Sequence, residues 1–75
     1  EYEEMLRYTI VIEKADGNYC AYCPDLPGCI ATGASVEETT ERIKEAIEFH
    51  IEGLRAEGLD VPPPATSAAL VEVAP

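Results

Sequence analysis

Three cysteines and one histidine are the side chains best suited to metal binding or nucleophilic catalysis. Cys20 and Cys23 have a C-x-x-C spacing, and only Cys29 and His50 could complete a zinc site with four such ligands. Cys20 and Cys23 fall in a predicted strand, where side chains three positions apart point to opposite faces. An odd number of cysteines also argues against a closed disulfide framework. We therefore predict reduced, partly buried thiols, with no metal and no cofactor.

A catalytic constellation is not visible elsewhere in the sequence. His50 lies at the edge of an apolar helical stripe, where a histidine usually packs, and the cysteines have no basic neighbours in sequence to activate them. There is no Gly-rich phosphate loop or nucleophile motif. Paired carboxylates could hold Mg²⁺ for phosphoryl chemistry, which keeps a small metal-dependent nuclease as the alternative function. We predict that the protein has no catalytic residues and is not an enzyme.

Net charge limits the kinds of partner. The 75 residues include 15 acidic and 5 basic side chains, for a net charge of −10. Such a surface repels phosphate backbones and disfavours direct nucleic-acid binding, whereas it speeds encounter with a basic protein. The same charge also keeps a small protein in solution, which is an equally good explanation. No signal peptide and no apolar run of about 18 residues is present, so we expect a cytoplasmic protein without membrane contact.

Residues 6–23 have the pattern of a β-hairpin. Apolar and polar side chains alternate over residues 6–13, which favours a strand. Asp16-Gly17 supplies the positive φ angles of a hairpin turn, and residues 19–23 form the second predicted strand. The first strand has an apolar face made of Leu6, Tyr8, Ile10 and Ile12.

Residues 24–28, Pro-Asp-Leu-Pro-Gly, predict an irregular turn between the second and third strands. The prolines fix φ and remove two backbone donors, and Gly28 permits a positive φ. Asp25 can accept hydrogen bonds from backbone amides within the turn. A short third strand over residues 29–32 follows.

A long amphipathic helix is predicted over residues 36–57. Ser35 and Glu38 form a capping box at its start, and Gly58 is placed to end it. The side chains at helical spacing on its apolar stripe are Val36, Thr40, Ile43, Ile47, His50, Ile51 and Leu54.

The other side of this helix is acidic. Five glutamates fall within an arc of roughly 80° at about 100° per residue. This surface is either a solvated helix face or a docking surface for a basic partner. We call it the acidic stripe, and it consists of Glu37, Glu41, Glu45, Glu48 and Glu52.

The remaining residues complete a single α+β domain spanning residues 1–75. Residues 1–4 resemble a frayed leader, the Pro-rich residues 62–67 form a connector, and residues 68–73 predict a short fourth strand. The predicted order is therefore β-β-β-α-β, a three-stranded antiparallel sheet with one long helix and a short last strand. A chain this short buries only about 60% of its unfolded surface, so we expect a homo-oligomer, a dimer or higher.

Residues 5–73 resemble the HicB-like antitoxin family. The Pro-Asp-Leu-Pro-Gly-Cys run followed by a capped helix is the most specific part of the resemblance. The residues that carry it are Tyr19-x-Ala21, Pro24 to Cys29, Thr32-Gly33, Ser35-x-x-Glu38, Glu57-Gly58-Leu59 and Val61-Pro62-x-Pro64.

The resemblance implies a partial ribonuclease-H-like fold and a non-catalytic role. Domains of this family bind and neutralise a HicA-type toxin, a small basic ribonuclease that cleaves mRNA. Many members carry a further DNA-binding segment after the fourth strand. Because this sequence stops there, we interpret it as a standalone form and expect no direct DNA binding.

Two surfaces are candidates for contact with such a partner, the turn and the acidic stripe. The turn contributes Pro24, Asp25, Leu26 and Pro27. A homo-oligomeric domain of unknown use remains an alternative beside the nuclease.

Overall fold

The computed structural model describes residues 5–75 and confirms the predicted sheet and helix. Three antiparallel strands form one sheet in chain order, and the helix packs on the second and third strands. The elements are β1 (Val11–Ala15), β2 (Asn18–Tyr22), β3 (Ile30–Gly33) and α1 (Val36–Ala56). The predicted leader, residues 1–4, lies outside the described residues.

The hairpin between β1 and β2 turns at the predicted residues, but only Gly17, and not Asp16, has a positive φ. Ala15 pairs with Asn18, so Asp16 and Gly17 are the two loop residues. Gly17 has a φ of 83°, which a residue with a Cβ adopts at a steric cost. The turn therefore sets the register of the hairpin, in which Val11 lies opposite Tyr22.

The core lies between the sheet and α1. Tyr8, Ile10, Ile12, Ala31 and Ile47 pack against its edge. The first three belong to the predicted apolar face of the first strand, although β1 begins at Val11 and not at Leu6. The buried apolar side chains are Ala21, Cys23, Leu26, Cys29 and Ile43.

Both ends of α1 follow the predicted capping chemistry. Ser35 Oγ accepts a hydrogen bond from the Glu38 amide at 3.0 Å. The Glu38 carboxylate reaches back to the Ala34 amide at 2.6 Å, one residue before the cap. Gly58, with a φ of 71°, ends the helix in a Schellman arrangement in which the Leu59 amide donates to the Leu54 carbonyl at 2.9 Å.

The helix and the sheet come into close contact where Thr39 meets Gly33. Thr39 is fully buried, and its hydroxyl donates to the Ser35 carbonyl at 2.7 Å. A Cβ on Gly33 would lie 2.6 Å from the Thr39 Oγ1. Glycine at position 33 is therefore required by the approach of helix to strand.

The predicted fourth strand is wrong for the isolated chain. Residues 68–73 form no ladder with any strand of the described chain. Leu70, Val71 and Val73 are 102%, 79% and 82% exposed. A strand needs the hydrogen-bonding edge of a partner, and this segment lies against none in its own chain. We call residues 67–74 the arm.

Among residues 5–75, no helix is both long and apolar enough to cross a membrane.

Candidate functional site

The turn between β2 and β3 is closed by its own backbone. The Leu26 amide donates to the Cys23 carbonyl and the Cys29 amide to the Leu26 carbonyl, both at 3.1 Å. Gly28 has a φ of 91°, which allows the chain to reverse into β3. These contacts give the Pro-Asp-Leu-Pro-Gly sequence one compact conformation.

The side chains of this turn point in different directions. Leu26 is fully buried and is a core residue. Pro24 and Pro27 are exposed, and Asp25 is half-buried. Of the four turn residues predicted to contact a partner, only the two prolines therefore present freely exposed side chains.

Asp25 holds the connector that follows the helix. Its carboxylate accepts hydrogen bonds from the Ala65 amide at 2.9 Å, the Thr66 amide at 3.0 Å and the Thr66 hydroxyl at 2.8 Å. The two amides, and then the hydroxyl, lower the pKa of Asp25 below its usual value of 3.8. Asp25 is therefore an ionised anchor for residues 65–66.

Two residues just before β1 hold the same connector. The Tyr8 hydroxyl donates to the Pro62 carbonyl, and the Thr9 hydroxyl donates to the Thr66 carbonyl at 2.7 Å. Burial, ahead of nearby negative groups, raises the pKa of Tyr8 above 10.0, which keeps the hydroxyl a donor. Sequence reasoning missed these contacts because the partners are more than fifty positions apart.

The acidic stripe is on the surface, as a partner-binding role requires. All five of its glutamates are exposed on α1. Within residues 5–75, the one ion pair shorter than 4.0 Å joins Glu38 to Arg42, neither of which belongs to the stripe. The stripe is therefore a continuous negative surface along most of the helix.

The thiols are in the environments predicted for reduced cysteines. Cys23 and Cys29 are buried and Cys20 is half-buried, and none of the three is in a disulfide. Burial, and then the proximity of Cys23, raises the pKa of the Cys29 thiol above 9.0. In the described part of the chain, no group of three or more His, Cys, Asp and Glu side chains is arranged to hold a metal ion.

A second surface feature is an apolar groove between the residues leading into β1 and the helix. We call it the β1 groove, and its volume is about 760 Å³. Its rim carries Arg7, Lys44 and Arg55 together with Glu48 and Glu52. Its apolar lining consists of Met5, Leu6, Tyr8, Ile10, Ile43, Ile47 and Ile51.

Comparison with known proteins identifies the family. The family model described as "HicB_like antitoxin of bacterial toxin-antitoxin system" matches residues 8–74. The chain belongs to the HicB-like antitoxin family. The match covers the turn, the acidic stripe, the connector and the groove residues other than Met5, Leu6 and Arg7.

Relatives of this HicB-like chain occur in bacteria, archaea and a phage. It is 46% identical over 61 residues to a UPF0150 protein of Synechocystis sp., covering 80% of this chain and 77% of that protein. A UPF0150 protein of Archaeoglobus fulgidus is 48% identical over 48 residues, covering 63% and 70%. An uncharacterized protein of Haemophilus phage HP1 is 42% identical over 55 residues, which span 73% of this chain but 41% of the phage protein.

A solved structure connects the fold with a toxin–antitoxin assembly. One chain of a "HicA3 and HicB3 toxin-antitoxin complex" matches this HicB-like chain with a TM-score of 0.67 at 35% identity. The match covers 79% of this chain and 70% of that chain. The shared fold therefore occurs in a protein solved together with its toxin or antitoxin partner.

Proposed function

We propose that this HicB-like protein binds and neutralises a HicA-type, mRNA-cleaving toxin without catalysing a reaction itself. The observation that carries the proposal is the 35% identical structural match within a HicA3–HicB3 complex, together with the family match over residues 8–74. Residues 1–75 act in this proposal as one domain that works in the cytoplasm and associates with itself.

Charge supports a basic toxin as the partner. The chain has a net charge of −10, and five exposed glutamates are aligned on one helix. A basic protein approaching this surface is attracted before contact, which raises the association rate. We propose the acidic stripe as the main contact surface, with the exposed Pro24 and Pro27 of the turn as the second candidate surface.

Two steps test the toxin partnership. A small basic protein encoded beside this gene is expressed alone and together with the chain, and growth and mRNA cleavage are measured. The expected result is that the chain restores growth, suppresses cleavage and co-purifies with the toxin. Failure both to co-purify and to relieve toxicity contradicts the proposal.

Charge reversal tests the surface. We expect the double variant Glu41→Lys/Glu45→Lys to slow toxin association by about tenfold or more at low salt. The matched control Asp16→Lys/Asp60→Lys changes net charge by the same amount at exposed positions outside the stripe. Equal effects of the two variants would assign the attraction to total charge and remove the stripe as the contact surface.

The absence of catalysis is tested separately. The purified chain is incubated with RNA and Mg²⁺ or Mn²⁺, and we expect no cleavage above a heat-treated control. RNA cleavage that Asp25→Asn abolishes would overturn the non-catalytic assignment in favour of the nuclease alternative.

A further inference from the structure

We propose that the arm of one chain, residues 67–74, lies in the β1 groove of a second copy and pairs with the free edge of its β1. The proposal goes beyond toxin binding and does not depend on it. It assigns a partner to two features of this chain that are otherwise uncovered.

The arm leaves its own domain. Asp25 and Thr9 hold residues 65–66, and beyond this point every side chain is exposed. The Cα radius of gyration is 14.4 Å, whereas a compact chain of this length has a value of roughly 11 Å. The longest dimension is 49 Å against 27 and 22 Å for the others. The anchored connector thus presents the arm to another molecule.

The arm has the pattern of a strand with two different faces. Alternation places Val71 and Val73 on one face and Leu70 and Glu72 on the other. β-Branched side chains favour an extended conformation that packs against an apolar surface. The arm therefore fits a position at a sheet edge with one face turned into an apolar groove.

β1 offers such an edge. The Cys23 amide donates to the Cys29 carbonyl, so the odd-numbered residues of β2 bond to β3 and the even-numbered ones to β1. Val11 lies opposite Tyr22, so the backbone N–H and C=O groups of Val11 point towards β2. The backbone groups of Ile10, Ile12 and Lys14 consequently point to the free edge beside the groove.

The other edge of the sheet is less suitable. β3 has four residues, and its Thr32 carbonyl already accepts a hydrogen bond from Arg42 Nη1 at 3.2 Å. Short edges with capped backbone groups resist strand addition. β1 has five residues and provides a longer edge.

Charge favours a second acidic copy at this groove and not a basic toxin. Three of the five basic residues of the chain, Arg7, Lys44 and Arg55, lie on the groove rim against two acidic ones, Glu48 and Glu52, so the rim is slightly positive in a chain with a net charge of −10. The arm carries no basic residue and contributes Glu72. Two copies with a net charge of −10 each can therefore meet where their positive side chains are concentrated. A reciprocal exchange of arms satisfies twofold symmetry.

Sedimentation equilibrium of the full chain gives the first test. The wild type is expected to dimerise at micromolar concentration, and Val71→Asp to raise the dimer dissociation constant by about tenfold or more. Val71 is 79% exposed in the isolated chain, so this substitution leaves the fold intact. Val36→Asp is the matched control, because Val36 is also exposed but lies outside the arm and the groove lining. A monomeric wild type, or equal weakening by both variants, overturns the proposal.

Cross-linking between two differently sized variants, each with one introduced cysteine beside the buried Cys23 and Cys29, locates the arm. Both carry Cys20→Ser, because Cys20 is only half-buried. A short bis-maleimide is expected to join Val71→Cys on one chain to Leu6→Cys on the other. Preferential joining to Phe49→Cys, which is near β3 and 77% exposed, overturns the groove assignment. In a chain with both Val71→Cys and Leu6→Cys, a product of monomer size alone shows that the arm folds onto its own groove and also overturns it.

Discussion

Asp25, in the most diagnostic turn of the family resemblance, joins two segments forty residues apart. Its carboxylate accepts three hydrogen bonds from Ala65 and Thr66. We expect Asp25→Ala to speed hydrogen exchange at the amides of both residues, because they lose their acceptor. Asp16→Ala, at an exposed hairpin position, is the control and leaves these amides unchanged. Unaltered exchange in Asp25→Ala would show that the anchor does not hold the connector in solution.

The same contact predicts a dependence on pH. The pKa of Asp25 is lowered in the folded state from 3.8. Its contribution is therefore fully present above about pH 4 and is lost as the pH falls through the lower, folded-state pKa. We expect protection of the Ala65 and Thr66 amides to fall over this acidic range in the wild type. In Asp25→Ala the protection of these two amides is already low, and we expect it not to change over the same pH range. Protection that is constant down to pH 2 would contradict the assignment.

For single residues, the sequence predicts the kind of interaction that a side chain makes better than it predicts the residues that the side chain contacts. The prediction that Asp25 bonds backbone amides was correct in kind, but the amides belong to the distant connector and not to the turn. Leu26 was a candidate contact residue and is a core residue. Local pattern identifies a carboxylate acceptor or a tight turn, whereas the direction of each side chain depends on segments that meet only after folding.

The packing of α1 on β3 is tested by a pair of glycine substitutions. Gly33→Ala places a Cβ 2.6 Å from the Thr39 Oγ1 and 2.8 Å from its amide nitrogen. We expect a loss of about 1–3 kcal/mol in the free energy of unfolding, because helix and strand must separate. Gly53→Ala is the matched control in the exposed helix interior, with nothing within 4 Å of the added Cβ. We expect it to gain about 0.5–1 kcal/mol from helix propensity.

Urea unfolding of the two glycine variants measures both changes. Opposite shifts of the midpoint at an unchanged slope are the expected outcome. Equal shifts would mean that Gly33 is not at a close contact.

Elements specified by local chemistry were predictable, and those that depend on a neighbour were not. Ser35, Gly17 and Gly58 marked the cap, the hairpin and the helix end correctly. The helical stripe missed Thr39, the most buried polar residue, because its hydroxyl is satisfied by a helix carbonyl that sequence pattern does not reveal. The fourth strand was predicted from β propensity, but a strand also needs an edge, and the isolated chain supplies none to the arm.

At the scale of the whole molecule, charge is distributed unevenly. Glu37, Glu41 and Glu45 are exposed on the helix and do not line the β1 groove, whereas Arg7, Lys44 and Arg55 do. One surface therefore suits a basic protein, and the other suits an acidic copy with an apolar arm. The two proposed contacts use different physical forces and can be separated in solution.

Salt distinguishes these two contacts by the sign of its effect. Raising the ionic strength from about 0.05 to 0.5 M shortens the Debye length from roughly 14 to 4 Å. Toxin association is attractive between opposite charges, so we expect its rate to fall steeply. Self-association buries Val71 and Val73 against the repulsion of two acidic chains, so we expect it to hold constant or strengthen.

Stopped-flow fluorescence with toxin and sedimentation equilibrium without it measure the two responses. In the first, Glu41→Lys/Glu45→Lys should flatten the salt dependence of toxin association. In the second, Val71→Asp should weaken the dimer at every salt concentration. Self-association that weakens with salt in parallel with toxin binding would show that rim charges, and not the apolar arm, hold two copies together. Opposite responses would show that different forces dominate the two contacts, charge attraction with the toxin and apolar burial between two copies, because screening weakens the first and relieves the repulsion that opposes the second.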